Sequence, residues 1–473
     1  MLFRDSENER LSNMSTDNWN ADPADLIEAV RAQSPRTIKE LRTLVGYPSL
    51  AFDGYDQKPG IDCAEEVQRM LQDAGVKNAE VRDIGGKLPL VWAEIPGPAG
   101  APTVLLYAHY DIQPAPVAEQ GWETDPFQMT QKADGRWYGR GAADDKNGIV
   151  SHLAALRTLG LREDGTAPLT IKICFEGEEE WVSALDPYVA TNPEMFKADI
   201  YLVSDDGGME VGKPTIGTAM RGTVALTVTV RTIKQALHSG LFGGATPDAL
   251  VAFLLMMSSC YGENGSTQIP GLEGAEYPGI DYPADLLREQ ASLLEGVDFA
   301  GVGSLSSRLW SHPSLSVIGL DKMPSIQGSS NIVIPEVSAA LSLRFQPGFT
   351  GRQALDALEA HLKAHVPFGA QLEIVETHES SPFSFAPSEC FLTAARHAFE
   401  LAFGHPLQIK ASGGSIPLMT ELQKIAPDAD FLIFGSADAQ FSKIHGGNES
   451  VDPAELERTT VAETLFLQKL AQG

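Results

Sequence analysis

Cysteine is scarce in this chain. Cys63, Cys174, Cys260 and Cys390 stand far apart, with no CxxC pair among them. That excludes a disulfide framework or a structural zinc cluster and points to a reducing, cytoplasmic setting. Long apolar runs are also missing. No stretch approaches the roughly 20 residues needed to cross a bilayer, and the start, MLFRDSENERLSNMSTDNWN, has no signal-peptide core. Basic residues are few, 35 Lys and Arg against 63 Asp and Glu, for a formal charge of −28. Such a surface repels nucleic acid and anionic membranes, which argues against a two-metal nuclease as well. Neither GK[ST] nor GxSxG occurs, so phosphate-loop and serine-elbow chemistry have no sequence support.

What remains is ordinary for a globular chain, 43% hydrophobic and 21% charged. At 473 residues it is too long for one core, and two or three domains are expected. After a polar leader over residues 1–23, the spacing predicts an entry helix over Ala24–Leu44. Short apolar strands then alternate with helical stretches: Leu88–Ile95, Thr103–Ala108, Leu169–Phe175, Ile200–Ser204 and, much later, Phe431–Gly435, with helices over Asn147–Leu161 and Ser183–Phe196. Continuous apolar strands separated by helices predict an α/β domain with a mostly parallel central sheet flanked by helices. The middle of the chain differs. Val224–Thr232 and Ser338–Phe345 alternate apolar and polar residues, joined by a strand over Gln371–Glu376 and helices over Thr246–Ser259 and Arg352–His365. This predicts a smaller α+β domain, residues 220–378, inserted between two parts of the catalytic domain, 1–219 and 379–473.

Ligands of open α/β sheets bind beyond the carboxyl ends of the strands, and the charged residues gather at those positions. His109 and Asp111 follow the strand over Thr103–Ala108, and Asp205 and Asp206 follow Ile200–Ser204. Asp438 and His445 lie beyond Phe431–Gly435, and Asp144 and Asp145 stand at a helix entry. In FEGEEEW, Phe175–Trp181, Glu176, Glu178, Glu179 and Glu180 crowd the end of an apolar strand. Two carboxylates ~4 Å apart repel by about 4 kcal/mol at an effective dielectric near 20. Either water solvates these acids or a cation sits among them. Two histidines with at least three carboxylates exceed the needs of one four-coordinate ion and suit two divalent ions bridged by one carboxylate. Zinc fits these donors, and manganese and cobalt suit them too. The other histidines, among them His152, read as surface or packing residues.

The blocks HYDIQP, GWETDPF, GRWYGRGAADDKNG, FEGEEE, SDD, ALHSG, SSNIVIP, SLRFQP, GGSIP and GSADAQFSKIHGGNE occur in the order found in the M20 metallopeptidases. From about Ile61 to the C-terminus the chain resembles that family, and SLSSRLWSHPSLSVIGL resembles its carnosinase-like dipeptidase branch most. The resemblance implies a zinc-exopeptidase-like fold whose inserted domain is a lid and dimerisation domain. It implies that His109 and Asp205 hold one ion, Glu180 and His445 the other, and that Asp144 bridges them, joined to Asp145 by a cis peptide bond. It gives Asp111 the task of orienting His109, Glu179 that of general acid/base, and His238 that of an oxyanion donor from the partner subunit of a homodimer. Arg344, Asn331, His378 and Ser415 are implied to line the substrate pocket.

The implied activity is hydrolysis of dipeptides or short peptides. The alternatives are an N-acyl amino acid deacylase with the same centre, an exo-acting hydrolase of acidic or β-linked oligopeptides, and a non-catalytic metal-binding scaffold. The chain departs from the family pattern twice: Trp181 and Val182 stand where relatives have small residues, and the approach to His445, DAQFSKIH, is longer.

Overall fold

Apolar side chains sort into two separate cores in the computed structural model, which describes residues 17–414 and 416–473. Residues 1–16 of the expected leader and Ser415 lie outside the described residues. The chain divides accordingly into a first unit, running to Thr218 and resuming over Phe385–Ile409 and Glu421–Gly473, and a second, Ala219–Ser384 with Lys410–Thr420.

The first unit opens with helix α1, Pro23–Val45. Asp22 accepts a hydrogen bond from the Ala24 N–H, and Pro23 occupies the first turn, where no N–H is needed. There follow α2 (Lys58–Asp73), β1 (Glu80–Arg82), β2 (Leu90–Ile95), β3 (Thr103–His109), α3 (Lys146–Leu159) and β4 (Thr170–Glu176). The single helix expected over Ser183–Phe196 is two short ones, α4 (Leu185–Thr191) and α5 (Pro193–Phe196). Pro193 has no N–H to continue the first and starts the second instead. β5 (Ile200–Val203) and β6 (Thr215–Met220) come next.

In the second unit stand β7 (Gly222–Arg231), α6 (Ala249–Ser258), β8 (Ser314–Asp321), β9 (Glu336–Phe345), α7 (Gly351–His365) and β10 (Gln371–Ser380). The chain then returns with α8 (Glu389–Phe403), β11 (Asp430–Ile433) and α9 (Pro453–Gln472).

In the first unit β4, β3, β5 and β11 lie side by side and parallel, with Tyr107 opposite both Cys174 and Val203, and Val203 opposite Ile433. β2 and β6 flank them antiparallel, and β1 pairs antiparallel with the outer side of β2. The parallel strands are buried almost throughout, which is why they read as unbroken apolar runs. All four therefore end on the same edge.

The second unit is an antiparallel sheet, β8–β9–β7–β10. Val224, Leu226, Val228, Val230, Val337, Ala339, Leu341 and Leu343 share a core with Phe253 and Met256 of α6 and Leu355 and Leu358 of α7. The alternate residues form a hydroxyl-rich second face, where the Thr229 and Ser338 hydroxyls lie 2.8 Å apart and Arg344 stands near one end. The unit also takes in Lys410–Thr420, which the sequence reading placed in the third segment; the Arg221 N–H donates to the Ser412 carbonyl at 3.2 Å.

Candidate metal centre

His109 is the last residue of β3, and its imidazole is fully buried. Nδ1 lies 3.2 Å from the Asp111 carbonyl and 3.3 Å from Asp111 Oδ1, both acceptors, so the Nδ1 proton is fixed there and Nε2 presents its lone pair elsewhere. Nε2 faces Asp144 Oδ1 at 3.0 Å and Asp205 Oδ1 at 3.7 Å. The Asp111 carboxylate also accepts the N–H groups of Glu179 and Glu180, at 3.1 and 3.0 Å. One side chain thus fixes the ends of two neighbouring strands.

A second group gathers around Asp144 Oδ2. His445 Nε2 lies 3.0 Å from it and 3.1 Å from Glu180 Oε2, which also accepts from the Gln113 amide at 2.8 Å. Asp144 and Asp145 are joined by a cis peptide bond. The His109–Asp144–Asp205 and Asp144–Glu180–His445 groups each bring their ligating atoms within 4.8 Å of one another, and they share Asp144. Two imidazoles and three carboxylates in two such sets have the donor chemistry of a borderline divalent cation.

The electrostatics fit the same cation. Burial pushes Asp205 up to about 6 despite the opposing pull of His109, and burial followed by the Asp205 charge holds Glu179 well above the usual carboxylate range. Burial also raises Asp144, but its hydrogen bonds with His109 and His445 win and hold it below its ordinary value. His445 is pushed up to about 10 by Asp144 and Glu180. For His109, burial is outweighed by the Asp205 charge and its carboxylate contacts, and the ring titrates well above normal.

The crowding in FEGEEEW has two causes rather than one. Only Glu179 and Glu180 stand among the groups just described. Glu178 is tied down by backbone, accepting from the N–H groups of Lys87 at 2.5 Å and Ala184 at 3.2 Å. Glu176 accepts from the Tyr107 hydroxyl at 2.8 Å and from the Ser183 hydroxyl. Asp438, read as an edge acid, is bound by Arg136 at 2.7 Å. Trp181 packs on Phe52, ring centroids 4.8 Å apart, and Val182 is 71% exposed.

The second unit carries the remaining sequence candidates. His238 Nδ1 accepts the Gly240 N–H at 3.0 Å, which leaves the proton on Nε2 and makes that atom a donor. The Asn331 carbonyl accepts the Ser239 N–H at 2.9 Å, placing Asn331 beside His238. Burial lowers Arg344, and burial together with the Arg344 charge lowers His378. A further guanidinium, Arg221, belongs to this cluster: burial and the Arg344 charge push it down to about 10. Its Nε lies 3.4 Å from the Gly413 carbonyl, and its Nη1 is shut off from solvent with no hydrogen-bond partner among the described residues.

The model of peptidase family M20/M25/M40 matches residues 105–469, a span that contains every metal-ligand candidate. The chain belongs to this peptidase family. Cysteinylglycine-S-conjugate dipeptidase of Corynebacterium striatum is 38% identical over 373 residues, 78% of this chain and 81% of that protein. Beta-Ala-His dipeptidase of Rattus norvegicus is 28% identical over 77% of this chain and 76% of its own. In fold the chain is similar to the dipeptidase Dug1p of Saccharomyces cerevisiae, with a TM-score of 0.80 at 22% identity, covering 96% of this chain and 99% of that one. The protein is thus an enzyme that hydrolyses peptides, in a family that works with divalent metal ions.

Three features of this M20 peptidase escaped the sequence reading. Glu449 and Arg140 form a fully buried ion pair at 2.7 Å beside the Asp144 loop. Lys146, directly after the acidic pair, is buried and donates to the Leu44 and Tyr47 carbonyls at 2.9 and 2.7 Å. His152, read as a surface or packing residue, is a buried packing one whose partners were not foreseen: Nδ1 lies 2.6 Å from Glu463 and Nε2 3.0 Å from the Tyr107 carbonyl. For Glu449 the only sequence signal was its place at the end of a family block, and for Lys146 and His152 there was none, because their partners lie far away in the chain.

Proposed function

We propose that the chain is a di-metal dipeptidase acting on short peptides with a free terminal carboxylate. The observation that carries this reading is Asp144, whose two carboxylate oxygens face one histidine each, in two donor sets. His109, Asp144 and Asp205 would hold one ion and Asp144, Glu180 and His445 the other, with zinc the best match to imidazole and carboxylate donors and manganese or cobalt able to replace it. Bound ions supply Lewis-acid polarisation of the scissile carbonyl and make water a stronger acid. Glu179 takes the proton of the attacking water on its carboxylate and returns it to the leaving amine; its raised affinity for a proton supports that task. Asp111 keeps the His109 proton on Nδ1 and, through the Glu179 and Glu180 N–H groups, fixes where both glutamates stand.

In the second unit, the His238 Nε2–H supports a role as a donor to the oxyanion, and the Arg344–Arg221–His378 cluster supports recognition of the substrate carboxylate, with Asn331 and Ser415 completing the pocket in this reading. Association of two copies through this unit, with His238 serving the partner, is part of the reading. It is supported by Val317, Ile318 and Leu320 on edge strand β8 and by Val251, Leu254 and Leu255 on α6, all exposed. Four free cysteines, three of them buried, suit a cytoplasmic setting. No helix among the described residues is long and apolar enough to cross a membrane.

The test is a metal-loaded panel of dipeptides, N-acetyl amino acids and N-carbamoyl amino acids. Dipeptides should be turned over at least about tenfold faster, a difference of about 1.4 kcal/mol; the reverse order would make the enzyme a deacylase. His238→Ala should lower kcat about 10²-fold with both ions retained. Arg344→Ala should raise KM for dipeptides but not for their C-terminal amides, and equal losses on both would remove Arg344 from carboxylate recognition.

A further inference from the structure

The two donor sets rest on different foundations. His109 ends β3 and Asp205 follows β5, two adjacent parallel strands whose spacing the sheet fixes. His445 has no such support. It lies in a loop, half exposed, with its backbone at φ 62, a left-handed conformation that L side chains disfavour. Something other than regular structure must hold it beside Asp144.

A network of buried polar contacts does so. Glu449 is fully buried. Its Oε1 accepts the N–H groups of Ala143 at 2.8 Å and Asp144 at 3.2 Å, and its Oε2 accepts the Gly141 N–H at 3.1 Å and Arg140 Nη1 at 2.7 Å. The other arm of Arg140, Nη2, donates to the Gly446 carbonyl at 3.1 Å and to Gln120 Oε1 at 3.2 Å. Gln120 in turn donates from Nε2 to the His445 carbonyl at 3.2 Å. One carboxylate and one planar guanidinium fork, with Gln120, therefore link the backbone of Asp144 to the carbonyls of His445 and of Gly446 directly after it. None of these contacts reaches His109 or Asp205.

Resting on the di-metal reading, we propose that the Glu449–Arg140 pair is a positioning device that acts mainly on one ion: Asp144 is shared, but the pair sets the distance between Asp144 and His445 and so fixes the affinity of the Asp144–Glu180–His445 set. Glu449 touches neither ion nor substrate. It acts through the ligands it places. Groups that orient ligands in this way change metal affinity by about 10–100-fold when removed.

Glu449→Gln keeps the volume but turns an N–H group toward the Asp144 loop or Arg140, where only donors wait. After dialysis against metal-free buffer, elemental analysis should find one ion per chain where the wild type holds two. Titration should show the weaker ion bound about 10–100-fold less tightly and the other within about threefold of wild type. The visible spectrum of the cobalt form should match that of His445→Ala. Excess metal should restore kcat with KM unchanged. Arg140→Lys, which keeps the charge but loses the fork, should give the same one-ion protein and carries the test if Glu449→Gln fails to fold. Glu463→Gln breaks a buried pair that touches no ligand; it should lower Tm and leave two ions in place. Equal weakening of both ions, or two ions retained at wild-type affinity, would overturn the proposal. A wild-type protein that holds fewer than two ions would overturn the di-metal reading beneath it.

Discussion

Replacing Glu179 by Gln should lower kcat about 10³-fold while both ions stay bound and KM changes little. Removal of a general acid/base costs 10²–10⁴-fold in typical cases, and 10³-fold corresponds to about 4 kcal/mol in the barrier. The physical reason is that Gln fills the same space and keeps the same backbone, but cannot hold a proton. The backbone matters here: the Glu179 N–H is bonded to Asp111, so the substitution leaves both the loop and the ligand Glu180 where they were. Burial and the Asp205 charge raise the Glu179 carboxyl in the absence of metal. Cations in the two donor sets would oppose the Asp205 charge and bring that carboxyl back toward the working pH, where a group both accepts and returns a proton efficiently. Steady-state kinetics on a dipeptide, with elemental analysis of the same sample, checks this. Turnover within about threefold of wild type would take the proton-transfer role away from Glu179.

The legible part of this molecule is the part that parallel sheets make legible. Strands buried on both faces must be continuously apolar, so β3, β4, β5 and β11 stand out, and the groups just past their ends fall on one edge. That rule alone pointed to His109, Asp111, the glutamate cluster and the Asp205–Asp206 pair, and the family resemblance then singled out Glu179, Glu180 and Asp205 among them. His445 followed from its place in the same late segment despite the longer approach to it. The alternating pattern of the second unit likewise placed Arg344 on the face away from the core.

What stayed hidden depends on partners distant in sequence. Glu176 and Glu178 are acids in a row of acids; that they bind Tyr107 and the Lys87 backbone is a fact of packing. His152 meets Glu463 across 311 positions of the chain. Arg221 ends up beside Gly413 only because Lys410–Thr420 returns to the second unit, a crossing that no local pattern announces.

Chelation should destabilise the protein, and more so as pH rises. In the metal-free protein Asp205 is raised to about 6 and Glu179 well above its ordinary value. Both bind protons more tightly folded than unfolded, so the stability they contribute is present below the ordinary carboxylate range and is lost as pH rises through the raised values. The histidines act in the same direction. His445, pushed up to about 10, and His109, also raised, contribute stability that is complete below about 6.5 and fades as pH climbs through their folded values. Asp144 alone runs the other way, being held below its ordinary value, and its contribution is lost only in acid, below the usual carboxylate range.

Between pH 5.5 and 8 the raised values of Asp205, Glu179, His109 and His445 therefore all weaken the metal-free fold as pH rises. Bound cations remove that slope, because they keep the carboxylates ionised and the imidazoles neutral throughout. Binding at about 1,000 times the dissociation constant contributes about 4 kcal/mol, a difference in Tm on the order of 5–10 °C for a chain of this size. Thermal unfolding with and without chelator at the two pH values gives the comparison. The gap in Tm should be clearly wider at pH 8, activity should vanish with the metal, and added zinc should restore both. An equal gap at the two pH values would mean that crowded acids and raised histidines are not what the cations relieve.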